Sequence, residues 1–382
     1  CGTDDRWCAR RDKRRRHMSS PIPRPGVLDV APYVGGLHSV DGVERVIVLA
    51  SNETPLGASP NAIKAFRDTA DDMHRYCDGH ALQLREAIGR RFGCDPARIV
   101  CGAGSDELIQ MLIRAYAGPG DEMLYSKHGF SIYPIFATGA GVTAVAADET
   151  NLTADSEALL DRVTESTRLV FLANPNNPTG TYLGADQLTN LRENLREDIL
   201  LVIDAAYAEY VNRNDYTAGI DLVERYGNVV MTRTCSKIFG LAALRLGWAY
   251  CPPAIADVLN RVRSPFNVNG PAQAAGLAAM EDRAHTDKAL SHNEEWLPWL
   301  STRLAGLGLD IVPSAANFVL ARFEDAGAAE HSYNALLRRG IITRLMKSYH
   351  LPDCLRISIG LGEENEAVAT ALEQIFEGSA KQ

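Results

Sequence analysis

Thr234, Ser236, Lys237 and Arg245 place two hydroxyls, an amine and a guanidinium within one short stretch, Thr232 to Trp248. The stretch follows the apolar run Val229-Val230-Met231, which reads as a buried strand leading into it. A lysine that is buried beside an arginine is disfavoured as an ammonium, so its pKa falls. In that state it is a Schiff-base nucleophile. Two hydroxyls and an arginine are also what a phosphate monoester needs around it. Together they suggest a lysine-bound aldehyde cofactor that carries a phosphate, as pyridoxal 5'-phosphate (PLP) does. The bland alternative is a solvated surface lysine.

Other stretches offer complementary groups. In Gly102-Ala103-Gly104-Ser105-Asp106-Glu107 the glycines permit close backbone approach. Leu108, Met111, Leu112 and Ala115 then open a helix, whose N-terminal N–H groups suit an anion. The spacing matches neither Gly-x-Gly-x-x-Gly nor a Walker A loop, and such turns also serve purely structural ends. Asn174-Pro175-Asn176-Asn177-Pro178-Thr179-Gly180 is either an ordinary turn cluster or the source of an amide for a phenolate oxygen. Asp204 ends a very apolar strand, where it either pairs with a pyridinium N–H or caps a helix. Tyr207, three residues on, is either a hydroxyl for the cofactor or a buried structural tyrosine. Arg356, in Leu355-Arg356-Ile357-Ser358-Ile359, points away from its apolar neighbours. Its planar fork suits a carboxylate or phosphate, unless it lies on a solvated strand face, and Arg344 carries the same two readings.

The elements that must position these groups read as α/β. From about 61 to 270, helices alternate with apolar runs such as Ile99-Val100-Cys101, Glu122–Tyr125, Val142–Val145, Leu169–Leu172 and Ile199–Ile203. That pattern implies a mainly parallel sheet covered on both faces, with functional loops at the strand carboxyl ends. Asn177, Asp204 and the Lys237 stretch all fall there. Residues 21–60 are turn-rich around one short strand, Val46–Leu49, and are expected to join the smaller unit. Residues 271–382 are expected to form that smaller α+β unit, with a long helical region from Pro271 to about Leu304, strands at 318–320 and 355–359, and helices near 327–339 and 363–376. Residues 1–20, with the basic run Arg10–Arg16, read as a disordered tail or a start artefact, with Met18 the preferred start.

A chain of 382 residues has material for about two domains. Its composition, 46% hydrophobic and 23% charged, is that of a soluble globular protein. A net charge of −9 argues against a nucleic-acid or membrane-surface partner, and no apolar run is long enough to span a bilayer. Eight cysteines, at 1, 8, 77, 94, 101, 235, 251 and 354, show no Cys-x-x-Cys or zinc-ligand spacing. They read as reduced thiols of a cytoplasmic protein, and no metal is expected.

The ordered set of glycine turn, Asn-Pro-Thr-Gly, strand-end Asp with Tyr, Ser-Lys, Arg and late Arg resembles the class I/II aminotransferases of fold type I. The resemblance covers roughly residues 25–375 and is most specific around 171–182 and 229–252. It implies a PLP-dependent transaminase. Lys237 would carry the cofactor and move the substrate proton, Asp204 would pair with the pyridine nitrogen, and Asn177 and Tyr207 would hold the phenolic oxygen. Phe130 would stack on the ring. The backbone at Ala103, Gly104 and Ser105, with Thr234, Ser236 and Arg245, would hold the phosphate. Tyr76 would reach the phosphate in a neighbouring subunit, which implies a homodimer. Tyr33, Asn52, Arg344 and Arg356 would face the substrates, a small amino donor and a 2-oxo acid.

More narrowly, the Ala31-Pro32-Tyr33-Val34-Gly35-Gly36 segment resembles the branch that exchanges an amino group between L-histidinol phosphate and 2-oxoglutarate in histidine biosynthesis. Three positions depart from the family pattern: Ala205 stands where Glu is common, Leu37 where Lys is usual, and Cys235 where an aromatic is common. None removes a catalytic group. Leu37 leaves open a paralogue acting on aromatic amino acids or an amino-acid phosphate, and a non-catalytic PLP-binding regulator is a third reading.

Overall fold

The computed structural model describes residues 21–33, 35–43 and 45–379. The basic run Arg10–Arg16, the Met18 start and Val34 lie outside the described residues.

In chain order, β1 (Ile47–Val48) is followed by α1 (Pro60–Asp68), α2 (Leu82–Phe92) and β2 (Ile99–Gly102). Next come α3 (Gly104–Tyr116), β3 (Glu122–Ser126), α4 (Ile132–Ala140) and β4 (Thr143–Ala147). A small hairpin of β5 (Glu149–Thr150) and β6 (Thr153–Ala154) leads to α5 (Ser156–Asp161), β7 (Thr167–Ala173) and α6 (Ala185–Asn194). Then follow β8 (Leu200–Asp204), α7 (Ile220–Arg225), β9 (Val229–Thr234), β10 (Gly247–Tyr250), α8 (Pro253–Val262), α9 (Gly270–Glu281) and α10 (Arg283–Ala305). The chain ends with β11 (Asp310–Val312), β12 (Phe318–Arg322), α11 (Ala326–Leu337), β13 (Ile341–Ile342), β14 (Arg344–Leu345), β15 (Cys354–Ser358) and α12 (Gly362–Ser379).

Seven strands form the large sheet in the order β2-β10-β9-β8-β7-β3-β4. All its pairings are parallel except those of β10, which runs antiparallel to both β2 and β9. Every residue of β8 is buried, as a central strand covered on both faces requires. The apolar side chains split into two clusters on opposite faces: Val170, Leu201 and Met231 on one, Phe171, Val202 and Val230 on the other. The parallel register, which pairs Ala173 with Asp204 and Asp204 with Thr232, brings the ends of β7, β8 and β9 together.

The smaller sheet is antiparallel, in the order β11-β12-β15-β14. Its core includes Leu300, Leu304, Val319, Leu336, Ile357 and Leu372, and Leu49 packs into it from the N-terminal segment. That segment is held by parallel pairing of β1 with β13. The expected continuous helix from 271 to 304 is two helices. Asp282 leaves the helical region (φ −86°, ψ 75°) and its carboxylate caps the second helix by accepting from His285 N. α9 packs against α1 and α2, whereas α10 runs to the smaller sheet. No helix among the described residues is long and apolar enough to cross a membrane.

Candidate active site

A cavity of about 190 Å³ opens where β7, β8 and β9 end, between the large and the smaller sheet. Lys237 lies in its wall, and its Nζ donates to the carbonyl of Ser51 at 3.0 Å. Burial is the main cause that lowers its pKa, to about 8, and Arg356 is the next. Arg245, the neighbour in sequence, contributes least. The depression therefore comes mainly from tertiary packing.

Asp204 is buried at the end of β8, where its Oδ2 accepts from the Tyr133 hydroxyl at 2.7 Å and its Oδ1 from Thr232 at 3.3 Å. Burial outweighs these bonds and raises its pKa to about 6. The short helix that follows is not capped by this carboxylate: its N-cap is Tyr207, without a side-chain cap. Asp204 is a desolvated acceptor facing the cavity, suited to a cationic N–H.

The Tyr207 hydroxyl accepts from Asn52 Nδ2 at 2.9 Å. Asn52 holds a left-handed conformation (φ 55°), and its N–H donates to Ser358 Oγ at 2.8 Å. The Asn-Pro loop sorts its three amides. Asn174 bonds both ways to Leu183, at 3.1 and 2.8 Å, and Asn176 donates to the carbonyl of His128 and to Thr179. Only Asn177 lines the cavity, and its Oδ1 accepts from Arg356 Nη1. The amide nitrogen of Asn177 is the end left for a ligand.

At the start of α3, Gly104 takes φ +79° and no side chain caps the helix. Arg245 packs over this turn. A Cβ at Gly104 would sit 2.6 Å from its Nη2, and a Cβ at Gly247 would sit 2.4 Å from Ser105 N. Arg245 donates to Ser236 Oγ at 3.2 Å and to Asp106 Oδ2 at 3.0 Å, while Thr234 Oγ1 accepts from Ser236 N at 3.1 Å. Ser105, Thr234, Ser236 and Arg245 all line the cavity, and Ala103 is the N-cap beside them. Backbone N–H groups, hydroxyls and a guanidinium around a turn that admits no Cβ fit a phosphate.

Phe130 lines the same cavity, edge-on to Tyr133 at 5.8 Å. Arg356, expected to be either an anion ligand or a solvated residue, is 6% exposed. Its Nη2 donates to the carbonyl of Ala50 at 2.8 Å, and its buried Nε has no protein partner. Arg344 and Tyr33 line the cavity beside it. A buried lysine, a buried carboxylate, an amide and a hydroxyl, and a turn that fits a phosphate thus line one cavity together with Arg344 and Arg356, a set of groups that suits PLP.

Tyr76 is not part of this arrangement. It is 84% exposed and stacks on Phe266 with ring centroids 4.5 Å apart. The structure also brings in residues that had no expected role: Tyr133, Asp106 and Tyr349. Tyr133 follows Phe130 at i+3, a spacing that gave no hint of its bond to a strand 71 residues away. Among the described residues no His, Cys, Asp or Glu cluster is arranged to hold a metal.

The aminotransferase class I and II family model matches residues 44–375. A protein of Paramagnetospirillum magneticum named histidinol-phosphate aminotransferase is 59% identical over 94% of this chain and 99% of its own. One of the same name from Rhodospirillum centenum is 58% identical over 94% of this chain and all of its own. Among solved structures, histidinol-phosphate aminotransferase of Sinorhizobium meliloti in complex with pyridoxal-5'-phosphate superposes with a TM-score of 0.86 at 28% identity, covering 94% of this chain and 99% of that one.

Proposed function

The chain belongs to the class I and II aminotransferases, and we propose that it exchanges an amino group between L-histidinol phosphate with 2-oxoglutarate and imidazole-acetol phosphate with L-glutamate. The observation that carries this reading is one cavity lined by Lys237, a turn that fits a phosphate and two further guanidiniums, Arg344 and Arg356. Near full-length relatives that bear the name of this activity support the substrate.

PLP, when bound, supplies the electron sink that stabilises negative charge at the substrate carbon. The chain's own residues divide the rest. Ser105 and Gly104 N–H groups, Thr234, Ser236 and Arg245 hold its phosphate, and Asp204 keeps the ring nitrogen protonated. The Asn177 amide and the Tyr207 hydroxyl hold the phenolic oxygen, and Phe130 covers the ring. Lys237, with its pKa near 8, is neutral in a useful fraction at physiological pH. Its Nζ takes the proton from the carbon that loses the amino group and, in the second half-reaction, gives one to the carbon of the 2-oxo acid that gains it. Arg356 binds the phosphate of one substrate and the α-carboxylate of the other in turn, because both are anions that accept from its fork.

The same reading makes the chain a homodimer in which Tyr76 serves the partner's cofactor phosphate. Its support is that Tyr76 lies outside its own chain's cavity, on a face shared with exposed Met73 and Phe266. We place the protein in the cytoplasm, where thiols stay reduced, on the six free cysteines among the described residues.

The test is a half-reaction: purified holoenzyme mixed with L-histidinol phosphate should lose the absorbance of the lysine-bound cofactor and regain it with 2-oxoglutarate. A protein that ignores histidinol phosphate but responds to phenylalanine or tyrosine would overturn the substrate assignment.

A further inference from the structure

We infer that Tyr349 is a specificity-determining residue of this site, its hydroxyl donating to a phosphate oxygen of the substrate that Arg356 and Arg344 attract. The inference rests on the functional reading above.

Tyr349 ends the 3-10 turn Met346–Tyr349, between β14 and β15. The next residue, His350, is left-handed (φ 60°), and Leu351 N donates back to the carbonyl of Met346 at 3.2 Å. The turn therefore fixes where the side chain leaves the backbone, and the ring is buried, at 6% exposure. It lies in the wall of the cavity that holds Lys237 and also in that of a second, outer cavity of about 390 Å³. Tyr33, Arg344 and Tyr349 are the residues the two walls share. Tyr349 thus stands where a substrate passes from the outer to the inner space.

Its hydroxyl accepts from Ser131 Oγ at 3.2 Å, across the cleft from the residue that follows Phe130. A phenol has one proton and two lone pairs, so accepting from Ser131 leaves that proton to donate. Among the described residues nothing accepts it. Arg356 counts Tyr207, Tyr349, Arg344 and Tyr33 among its ionisable neighbours. Tyr207 is bonded to Asn52 and faces the cofactor's phenolic oxygen, which makes Tyr349 the buried neutral donor on the substrate side.

The number of acceptor oxygens gives this donor its meaning. A carboxylate has two, which the fork of one arginine satisfies. A phosphate monoester has three terminal oxygens, one more than a carboxylate. Arg356 already spends Nη1 on Asn177 and Nη2 on the Ala50 carbonyl, so a neutral donor beside the two guanidiniums has an oxygen to meet. Tyr349 therefore favours the phosphate substrate over glutamate.

Steady-state kinetics of the holoenzyme test this with Tyr349→Phe and Ser131→Ala. Tyr349→Phe should raise KM for histidinol phosphate about tenfold, the effect of one hydrogen bond to a charged group. Its kcat, and its KM for glutamate, should stay within about twofold. Ser131→Ala, which keeps the ring and loses only its anchor, should shift the same KM in the same direction by less. Calorimetry with butyl phosphate, an unreactive monoester, should show the same loss for Tyr349→Phe and little for glutarate. A wild type that turns over histidinol phosphate while Tyr349→Phe keeps its KM and its butyl phosphate affinity overturns the inference alone. A wild type that transaminates glutamate but not histidinol phosphate overturns the functional reading and this inference with it. Equal losses for phosphate and dicarboxylate ligands would also refute it, since they mark a merely structural role.

Discussion

The guanidinium of Arg356 donates to the side-chain oxygen of Asn177, joining β15 of the smaller sheet to the loop after β7 of the large one. The residue proposed to meet the substrate anion and the residue proposed to meet the cofactor's phenolic oxygen are therefore one bonded unit. The bond also orients Asn177, since an amide whose oxygen is taken presents its nitrogen.

Arg356→Lys should raise KM for both substrates by at least about tenfold, because an ammonium cannot bond Asn177, the Ala50 carbonyl and an anion as a planar fork does. Asn177→Ala should lower kcat more than it raises KM. In a double-mutant cycle on kcat/KM the two should be coupled by about 1 kcal/mol or more. Additive effects would show that the bond does not matter in the working enzyme.

Lys237→Met should abolish turnover and also change stability in a way that depends on pH. The folded pKa, about 8, lies below the ordinary value of 10.5, so between those values the unfolded chain binds more protons and stability rises with pH. Below about pH 8 the cost of holding this amine is fully present. Cofactor-free Lys237→Met should then be more stable than the cofactor-free wild type at pH 7, by on the order of 2 kcal/mol once water in the cavity is allowed for. The gap should close toward pH 10, as read by urea denaturation across pH. A gap independent of pH would mean the lysine is not desolvated.

Tyr133→Phe removes the donor that opposes the rise of the Asp204 pKa, which burial already brings to about 6. The carboxylate should then protonate at higher pH, and the acid limb of the kcat/KM profile should move up by about one unit. An unmoved limb would separate Asp204 from that ionisation.

Two glycine substitutions should fail differently. Gly104→Ala puts a Cβ against the guanidinium of Arg245 at a position with φ +79°. The arginine end can move, so the fold should survive while PLP affinity, by equilibrium dialysis, drops at least about tenfold. Gly247→Ala meets backbone at Ser105, Gly104 and Arg233, which cannot yield locally. Its thermal unfolding should show a loss of about 3 kcal/mol or more.

Much of the site was legible because its chemistry is carried by residues next to strongly patterned elements. Asp204 and Thr234 end fully buried strands, and apolar runs announce both. The cradle at Gly104 follows from a glycine turn opening a periodic helix. What the sequence did not show was set by tertiary contact. Lys237 owes its lowered pKa first to burial and then to Arg356, not to Arg245 nearby in the chain. Tyr133 and Tyr349 matter through partners 71 and 218 residues away. The break at Asp282 was hidden because an aspartate in an Ala-rich run has the same pattern whether it caps one helix or sits inside another.

The bonds from Asn52 to Ser358 and from Arg356 to the Ala50 carbonyl each span 306 residues. The residues of the phosphate cradle and the loop that carries Lys237, by contrast, lie between 103 and 247, and the Ser51 carbonyl that Lys237 meets comes earlier still in the chain. On a ribosome the cradle and the attachment lysine can therefore assemble before the substrate wall exists. Contacts of such long sequence separation are the slow ones to form. A nascent chain would acquire the power to hold its cofactor before the power to choose what reacts with it.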